Sequence, residues 1–436
     1  MVVRVAGQLK DIVRPSDRLV AGLSGGVDSV VLLDSLRRAA RTLRFRLSAL
    51  HVNHQLSPHA RRWEAFCRRL CRARGIAFQS VKVSVRRGDS LEAAAREARY
   101  AVYARQDCDY IVLAHHRDDQ VETLLLQLLR GAGVKGLAAM PLVRSSSLIP
   151  HPSSLRILRP LLDATRAEIL DYARKRGLKW IEDESNQDTY FQRNFIRHEV
   201  LPVIARRFPA YRRTLARAAG HLAEAARVLD ELAASDAAGH LEGGNLSIAA
   251  LRCLPPARAR NLLRYFLASH GVAMPNAERL DEALRQALTA KQDARVLVEL
   301  GGFTLRRHAG RLHLVRAGGA PPAHYEKRWR GEKVIALPEL GGVLNLPRAR
   351  GAGISLARLR GRPVMMRLRR GGERLQPDCR RPRRSLKNLL QEARIPSWER
   401  ERLPLLFCGD KLVWAPGIGV DCAFQAARSE AALRPA

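Results

Sequence analysis

Over the first two hundred residues, short apolar runs of β type alternate with segments of helical periodicity. The apolar runs fall at 18–23, 45–52, 77–83, 110–114 and 156–160, and the helical patterns between and after them at 27–40, 58–74, 91–105, 119–129 and 165–176. Strands that alternate with helices form βαβ units, which predict an α/β class with an open, doubly wound parallel sheet. Local signals agree. Ser57-Pro58 reads as an N-cap followed by proline at the first helical position. Thr165 with Glu168 reads as a capping box, and Gly131 as a helix stop. A doubly wound sheet binds ligands at the carboxyl ends of its strands, so the turns after the runs carry the functional reading.

The rest of the chain differs in character. Residues 211–290 are Ala/Leu/Arg-rich and helical, interrupted by Gly243-Gly244 and Pro255-Pro256. Alternating runs at 295–300 and 311–315, joined through Gly301-Gly302, follow, and 317–323 reads as a linker. Short β-like runs then surround one amphipathic helix at 385–393, a small α+β or barrel-like domain. The expected organisation is a catalytic domain at 1–210, a mostly helical domain at 211–317 and a C-terminal domain at 324–436. That fits 436 residues at about 150 per domain.

Charge narrows the partners. The chain has 76 Lys+Arg against 42 Asp+Glu, a formal net charge of +34, and only 10 of the bases are lysine. Coding bias explains arginine over lysine but not base over acid. A polyanionic partner is implied, nucleic acid ahead of an anionic membrane. No apolar run approaches the ~18 residues of a membrane span, and the start MVVRVAGQLKDIV lacks the apolar core of a signal peptide. The seven cysteines, an odd number at scattered spacings without a Cys-x-x-Cys pair, read as reduced cytosolic thiols.

The strongest local motif is Ser24-Gly25-Gly26-Val27-Asp28-Ser29, set between a strand and a helix. Two glycines allow a tight turn whose N–H groups approach phosphate oxygens. The following helix points its positive end at the same place. Ser24 and Ser29 add hydroxyls. Asp28 would repel phosphate unless a cation intervenes, which implies Mg²⁺. No lysine follows the glycines, so this is not the kinase and GTPase loop. Gly131–Gly136 matches G-x-G-x-x-G but follows a helix, which fails the dinucleotide context and leaves a helix stop and a flexible, substrate-facing loop.

Two further constellations sit at strand ends. In His51-Val52-Asn53-His54, alternation puts His51 and Asn53 on one face. In His115-His116-Arg117-Asp118-Asp119-Gln120-Val121-Glu122-Thr123, Asp119 and Glu122 are i,i+3 and share a helix face. Asp118 or Glu122 could hold part of a Mg²⁺ shell, although an acidic first turn is also favourable to any helix. Arg96 and Arg99 lie one turn apart and would equally suit a solvated basic face. The acidic run Glu182–Glu184 before Arg193-Asn194-Phe195-Ile196-Arg197 suits a loop holding a cationic substrate beside phosphates, and surface ion pairs would explain it almost as well.

SGGVDS, HVNHQLS, LEAAAREARY, AHHRDDQVETLLLQLLRGAGVKGL, RPLL and WIEDESNQDTYFQRNFIR occur in this order. Together they resemble the tRNA(Ile)-lysidine synthetase branch of the N-type, or PP-loop, ATP pyrophosphatase superfamily. The likeness is close over 18–202, weaker through the helical middle, and returns near 369–419. It implies that ATP adenylates the 2-carbonyl oxygen of the wobble cytidine in an isoleucine tRNA with a CAU anticodon, releasing pyrophosphate. The ε-amine of free L-lysine then displaces AMP, and the tRNA reads AUA instead of AUG.

The resemblance assigns Asp28, His116, Asp118 and Glu122 to catalysis, with Asp28 and Asp118 on Mg²⁺. ATP would meet Ser24, Gly25, Gly26, Val27, Asp28, Ser29, His51, Asn53 and Arg96. Arg99, Arg193, Arg383 and Arg384 would meet tRNA or substrate. A cytoplasmic enzyme without a membrane partner is expected, compatible with a homodimer. Either His116 or a carboxylate could take the amine proton. The rival is a thiolase of the same superfamily that delivers sulfur to an adenylated pyrimidine. It would want a cysteine pair, for which Cys67 and Cys71, i,i+4 on a helix, are the available residues.

Overall fold

The computed structural model describes residues 1–84, 91–145, 156–290, 297–316, 322, 324–340 and 342–435. They form two compact units, Met1–Leu288 and Thr289–Ala436.

In the first unit, β1 (Arg18–Gly22), β2 (Arg46–Asn53), β3 (Ala77–Lys82), β4 (Tyr110–Val112), β5 (Val143–Ser145) and β6 (Arg156–Leu158) make one sheet in the order β3-β2-β1-β4-β6-β5. All neighbours are parallel except β5, which runs antiparallel at the edge. The doubly wound expectation holds, with one unforeseen strand. Alternation sorts the side chains. Leu19 and Ala21 of β1 enter a core with α1 (Val2–Leu9) and α2 (Val27–Leu43), together with Cys67 and Leu70 of α3 (Ala60–Arg72). Val20 and Ile111 enter the opposite core with Val102 and Tyr103 of α4 (Leu91–Ala104). Both faces are therefore covered, as parallel strands require.

Some boundaries move. The helix expected from Pro58 begins at Ala60 with His59 as its N-cap, and Ser57 instead accepts the His59 N–H at 3.1 Å. The helix expected from Asp119 begins at Arg117, as α5 (Arg117–Leu129). Gly131, at φ +68°, stops it, and the next loop carries a short helix, α6 (Val134–Leu137). Thr165 caps α7 (Arg166–Lys175) through its expected box with Glu168. Downstream lie α8 (Gln192–Phe195), α9 (Leu201–Arg207) and the long α10 (Tyr211–Ala237). Val121 of α5 packs with Ile196, Leu201 and Tyr211, fastening this helical stretch to the sheet domain.

In the second unit the two expected runs are three strands. Leu297–Leu300, Phe303–His308 and Arg311–Arg316 form an antiparallel meander, and Gly301-Gly302 joins the first to the second. The stretch read as a linker lies outside the described residues apart from Pro322. Beyond it, Glu326–Arg328, Val364–Arg367, Leu405–Cys408, Lys411–Ala415 and Gly419–Val420 make a five-stranded antiparallel sheet. Leu386–Glu392 is the expected amphipathic helix, N-capped by Ser385. Cys379 and Cys422 form a disulfide with their Cα atoms 5.5 Å apart, which corrects the expectation of uniformly reduced thiols. Their separation of 43 residues hides in sequence a proximity that folding creates.

Candidate active site

The site is built at the carboxyl ends of β1, β2 and β4. After Gly22 the chain turns sharply: the Leu23 N–H donates to Leu50 O at 2.9 Å, and α2 starts at Val27 with Gly26 as its N-cap. The turn is tied internally. Ser29 Oγ accepts the Gly25 N–H at 3.1 Å and donates to Gly26 O at 2.9 Å, while Ser24 Oγ accepts the Gly26 N–H at 3.3 Å. Gly25 sits at φ +94°, and a Cβ there would stand 2.8 Å from Ile181 Cδ1 and 3.2 Å from Cys67 Sγ. Ile181 donates its N–H to Gly25 O at 2.9 Å, so the Trp180–Ile181 segment lines the turn. His51 Nδ1 bonds Leu23 O at 2.8 Å behind the loop. Asn53 is buried and donates to Glu64 Oε2 at 3.3 Å.

His116, the N-cap of α5, is buried among carboxylates: Nε2 lies 3.7 Å from Asp28 Oδ1 and 3.5 Å from Asp119 Oδ2, and Nδ1 lies 3.7 Å from Asp118 Oδ2. The loop and the HHRDDQVET block therefore meet, as their places in the fold predict. Each carboxylate also meets an arginine. Arg166, the first residue of α7, pairs with Asp28 and gives its N–H to Asp118 at 2.9 Å. Arg212 Nε, at the start of α10, donates to Asp118 at 2.5 Å. Glu122 is fully buried and accepts Arg193 Nε and Arg197 Nε, both at 2.7 Å, and Arg197 Nη2 at 3.0 Å. Arg193 Nη2 also reaches Asp119 Oδ1 at 3.1 Å. Asp119 and Glu122 do share one helix face, and the RNFIR segment closes over it.

Electrostatics follow the burial. Burial would raise the Asp119 carboxyl, but His116 and Arg193 outweigh it and hold it below the usual carboxylate range. The Arg193 and Arg197 guanidinia are held charged by Asp119 and Glu122 against the cost of burial. Burial pushes His115 down to about 3, with Arg159 and Arg193 assisting, so this ring is neutral at pH 7. His54 falls to about 4 through burial and the charge of Arg99, whose Nε meets His54 Nε2 at 3.4 Å. Arg96 is exposed and lies over the Tyr100 ring.

Asp28 Oδ1 is buried without a hydrogen-bond partner. An open carboxylate oxygen beside a glycine turn suits Mg²⁺. Among the described residues no three His, Cys, Asp or Glu side chains form a closed metal cage. Side chains alone would thus not complete a Mg²⁺ shell here, and phosphate or water oxygens would have to supply the rest. In the second unit, Arg383 Nη2 is bonded to the buried Asp421 at 2.8 Å and Arg384 pairs with Glu392. Cys67 and Cys71 are buried, and burial pushes their thiols up to about 12 and about 11.

Sequence reasoning passed over Arg166 and Arg212, and named Arg197 only as part of the basic run that begins at Arg193. Arg197 follows Arg193 by one helical turn, a readable spacing. Arg166 and Arg212 reach the site only through tertiary packing of α7 and α10.

Family comparisons align with this geometry. A PP-loop domain matches residues 1–204, a TilS substrate binding domain 246–313 and a TilS substrate C-terminal domain 364–435. The chain is 49% identical over 427 residues to the tRNA(Ile)-lysidine synthase of Nitrosomonas europaea, covering 98% of this chain and 93% of that one. It is 43% identical to that of an Azoarcus species, covering 100% and 96%, and 40% identical to that of Coxiella burnetii, covering 93% and 90%.

Proposed function

Because the chain belongs to the tRNA(Ile)-lysidine synthase family, a family of ATP-using ligases, we propose that it joins the ε-amine of free L-lysine to C2 of the wobble cytidine in an isoleucine tRNA with a CAU anticodon. The carbonyl oxygen at C2 is a poor leaving group, and adenylation converts it into AMP, a good one. The observation that carries the reading is the meeting of Asp28 with His116 at the mouth of the glycine turn, beside the two arginines clamped on Asp119 and Glu122.

Ser24, Gly25, Gly26, Val27 and Ser29, with the α2 N-terminus, cradle the pyrophosphate part of ATP. His51 and Asn53 back the loop, and Arg96 contacts the nucleotide. Asp28 and Asp118 are the residues to hold Mg²⁺, which neutralises charge on departing pyrophosphate. Holding that cation, Asp28 and Asp118 would have to give up their pairs with Arg166 and Arg212, whose guanidinia would then be available to phosphate oxygens. Glu122 orients Arg193 and Arg197 toward the substrate. A lysine ε-amine is mostly protonated near pH 7. We assign the acceptance of that proton to His116, whose buried Nδ1 has no hydrogen-bond partner. The segments 211–317 and 324–436 bind tRNA beyond the anticodon, with Arg99, Arg383 and Arg384 on the basic surface.

The cysteine pair that the sulfur-delivering alternative would use is ill suited to it. Cys67 and Cys71 are buried thiols held protonated, whereas the thiolate is the reactive form.

The test is transfer of radiolabelled lysine to tRNA(Ile) bearing CAU with ATP and Mg²⁺. Label that survives mild alkali is expected, because the product is a carbon–nitrogen bond to the base. Asp28→Ala should abolish ATP–pyrophosphate exchange and leave tRNA affinity largely intact. Alkali-labile label, or ATP-dependent sulfur uptake without lysine, would overturn the reading.

A further inference from the structure

The Cys379–Cys422 disulfide takes no part in the chemistry above, yet it pins a loop of arginines. Arg374–Leu375 and Arg384–Ser385 pair as a two-stranded antiparallel ribbon, and the chain between them turns through Asp378-Cys379-Arg380-Arg381-Pro382-Arg383. Hydrogen bonds hold the base of this loop to the segment that carries Cys422. The Gln376 N–H donates to the buried Asp421 carboxylate at 2.9 Å, the Cys422 N–H to Gln376 O at 2.8 Å, and Gln425 Nε2 to Pro377 O at 2.7 Å. Arg383 Nη2 reaches Asp421 at 2.8 Å and Arg384 pairs with Glu392, so both of these guanidinia are engaged by acids.

The tip differs. Residues 378–383 are all exposed. Among the described residues Arg380 makes no ion pair, and Arg381 makes only a long one, 3.5 Å to Asp378 on the same tip. The backbone ties of these two arginines also stay within the loop. The Arg380 N–H donates to Asp378 Oδ1 at 2.9 Å, the Arg381 N–H to Asp378 O at 3.1 Å, and Arg381 O accepts Gln376 Nε2 at 2.7 Å. The covalent bond from Cys379 to Cys422 is what fastens Arg380 and Arg381 to the body of the domain.

Disulfides in a reducing compartment are usually transient or redox-sensing, and an exposed one is open to attack by external thiols. Cys379 is exposed, and the two arginines that follow it attract an anionic thiolate. We propose that Cys379–Cys422 is an exchange site for small thiols of the glutathione class, and that its state sets how firmly Arg380 and Arg381 are presented to tRNA phosphates. The inference rests on the proposed tRNA-binding role of segment 324–436. In the exchange a thiolate attacks Cys379 Sγ, the S–S bond breaks, and Cys422 leaves as a thiolate that takes up a proton. A second thiol resolves the mixed disulfide. Two small thiols are thereby oxidised to their own disulfide, and Cys379 and Cys422 are reduced to thiols. Oxidised glutathione drives the reverse. A tip ordered in advance binds a polyanion without the cost of ordering it, so the oxidised form binds tRNA more tightly.

The experiment uses the full chain carrying C253S, because Cys253 is an exposed free cysteine. The protein is equilibrated with oxidised or with excess reduced glutathione, and its free thiols are counted by alkylation and intact mass. Affinity for tRNA(Ile) bearing CAU is then read by fluorescence anisotropy. Reduction should expose two additional thiols and weaken tRNA about fivefold, and C379S/C422S should match the reduced protein in either buffer. R380A/R381A should bind tRNA weakly and equally in both states. A disulfide that does not form, or that resists excess glutathione, would overturn the proposal. So would tRNA affinities within about twofold of each other in the two states, or a difference that survives in R380A/R381A. A fall in thermal midpoint on reduction with tRNA affinity unchanged would make the bond a structural staple only. If C379S/C422S does not fold, reduced protein with wild-type cysteines at both positions carries the same comparison. An enzyme that transfers no lysine, with redox-dependent tRNA affinity intact, defeats the functional reading and spares this one.

Discussion

Glu122 offers the sharpest test of how the site is held together. Its two oxygens accept three hydrogen bonds from Arg193 and Arg197, and the side chain is fully buried. Glu122→Ala strands two guanidinia. Removing one partner of a buried ion pair costs about 3–5 kcal/mol. Two features pull the value to the lower end. The Arg193 and Arg197 side chains keep 23% and 35% of their exposure, so water can reach them. Asp119 also remains, 3.1 Å from Arg193 and 3.6 Å from Arg197. A loss of about 3 kcal/mol results, roughly a hundredfold in an opening equilibrium.

That loss falls on a definite place. Arg193 lies in α8 and Arg197 in the turn after it, while Glu122 belongs to α5. Cutting the link loosens the stretch from Gln192 to Arg207 on α5, leaving the Asp119 pairs and the apolar contacts of residues such as Ile196 and Leu201. Hydrogen exchange read by mass spectrometry should show peptides from this stretch exchanging about a hundredfold faster in Glu122→Ala, with β1 and β2 unchanged. Glu122→Gln, which keeps shape and one acceptor but loses the charge, should fall between. Exchange within threefold of wild type in Glu122→Ala would show that the arginines are held by something other than this carboxylate.

Three further outcomes follow from other contacts. Gly25→Ala should cost about 2 kcal/mol from its positive φ and the crowding of Ile181, and weaken ATP by more than tenfold; normal ATP affinity would mean that the turn is not the phosphate site. Arg4 and the Thr165 cap hold the Glu168 carboxyl down to about 2, so its stabilisation is complete above about pH 4.5 and is lost as pH falls toward 2. Glu168→Gln should flatten the acid limb of thermal stability across that window, and superimposable limbs would contradict the assignment. tRNA affinity should fall with salt by roughly 0.7–0.9 log units per log unit for each phosphate neutralised; a flat response would separate the +34 charge from tRNA binding.

The parallel sheet was legible because buried parallel strands are continuous apolar runs, as in Leu19–Gly22 and Tyr110–Val112. The segments that escaped reading lack that property. Val143–Ser145 has three residues at an edge, set by pairing with β6 rather than by its own pattern. Val2–Leu9 is rich in β-branched valine and becomes helical because Val5 and Leu9 bury against the sheet layer. In Phe303–His308 the pair Arg306-Arg307 breaks alternation, and two flanking strands supply the missing constraint. At the site, acids and glycines were legible because they are scarce and clustered. Arginine is abundant throughout this chain, so no arginine stands out by identity. Arg193 could be singled out within a motif, but Arg166 and Arg212 gain meaning only once α7 and α10 deliver them to Asp28 and Asp118.

That delivery bears on how so basic a protein keeps a working acidic centre. Asp28, Asp118, Asp119 and Glu122 are matched by Arg166, Arg212, Arg193 and Arg197, so the centre is close to neutral with His115 uncharged. The charge excess must then lie outside it, on surfaces able to hold a polyanion. A neutral centre neither repels an incoming triphosphate strongly nor binds it without help. On the proposed roles, a divalent cation on Asp28 and Asp118 would leave Arg166 and Arg212 without their partners, and incoming phosphates would offer the compensating charge. On that reading cation and nucleotide would favour each other's binding, and each should bind weakly alone. Arg212 opens α10, the helix that carries the chain out of the sheet domain. Its ion pair with Asp118 therefore couples that helix to the acidic centre, beside the packing of Tyr211 on Val121.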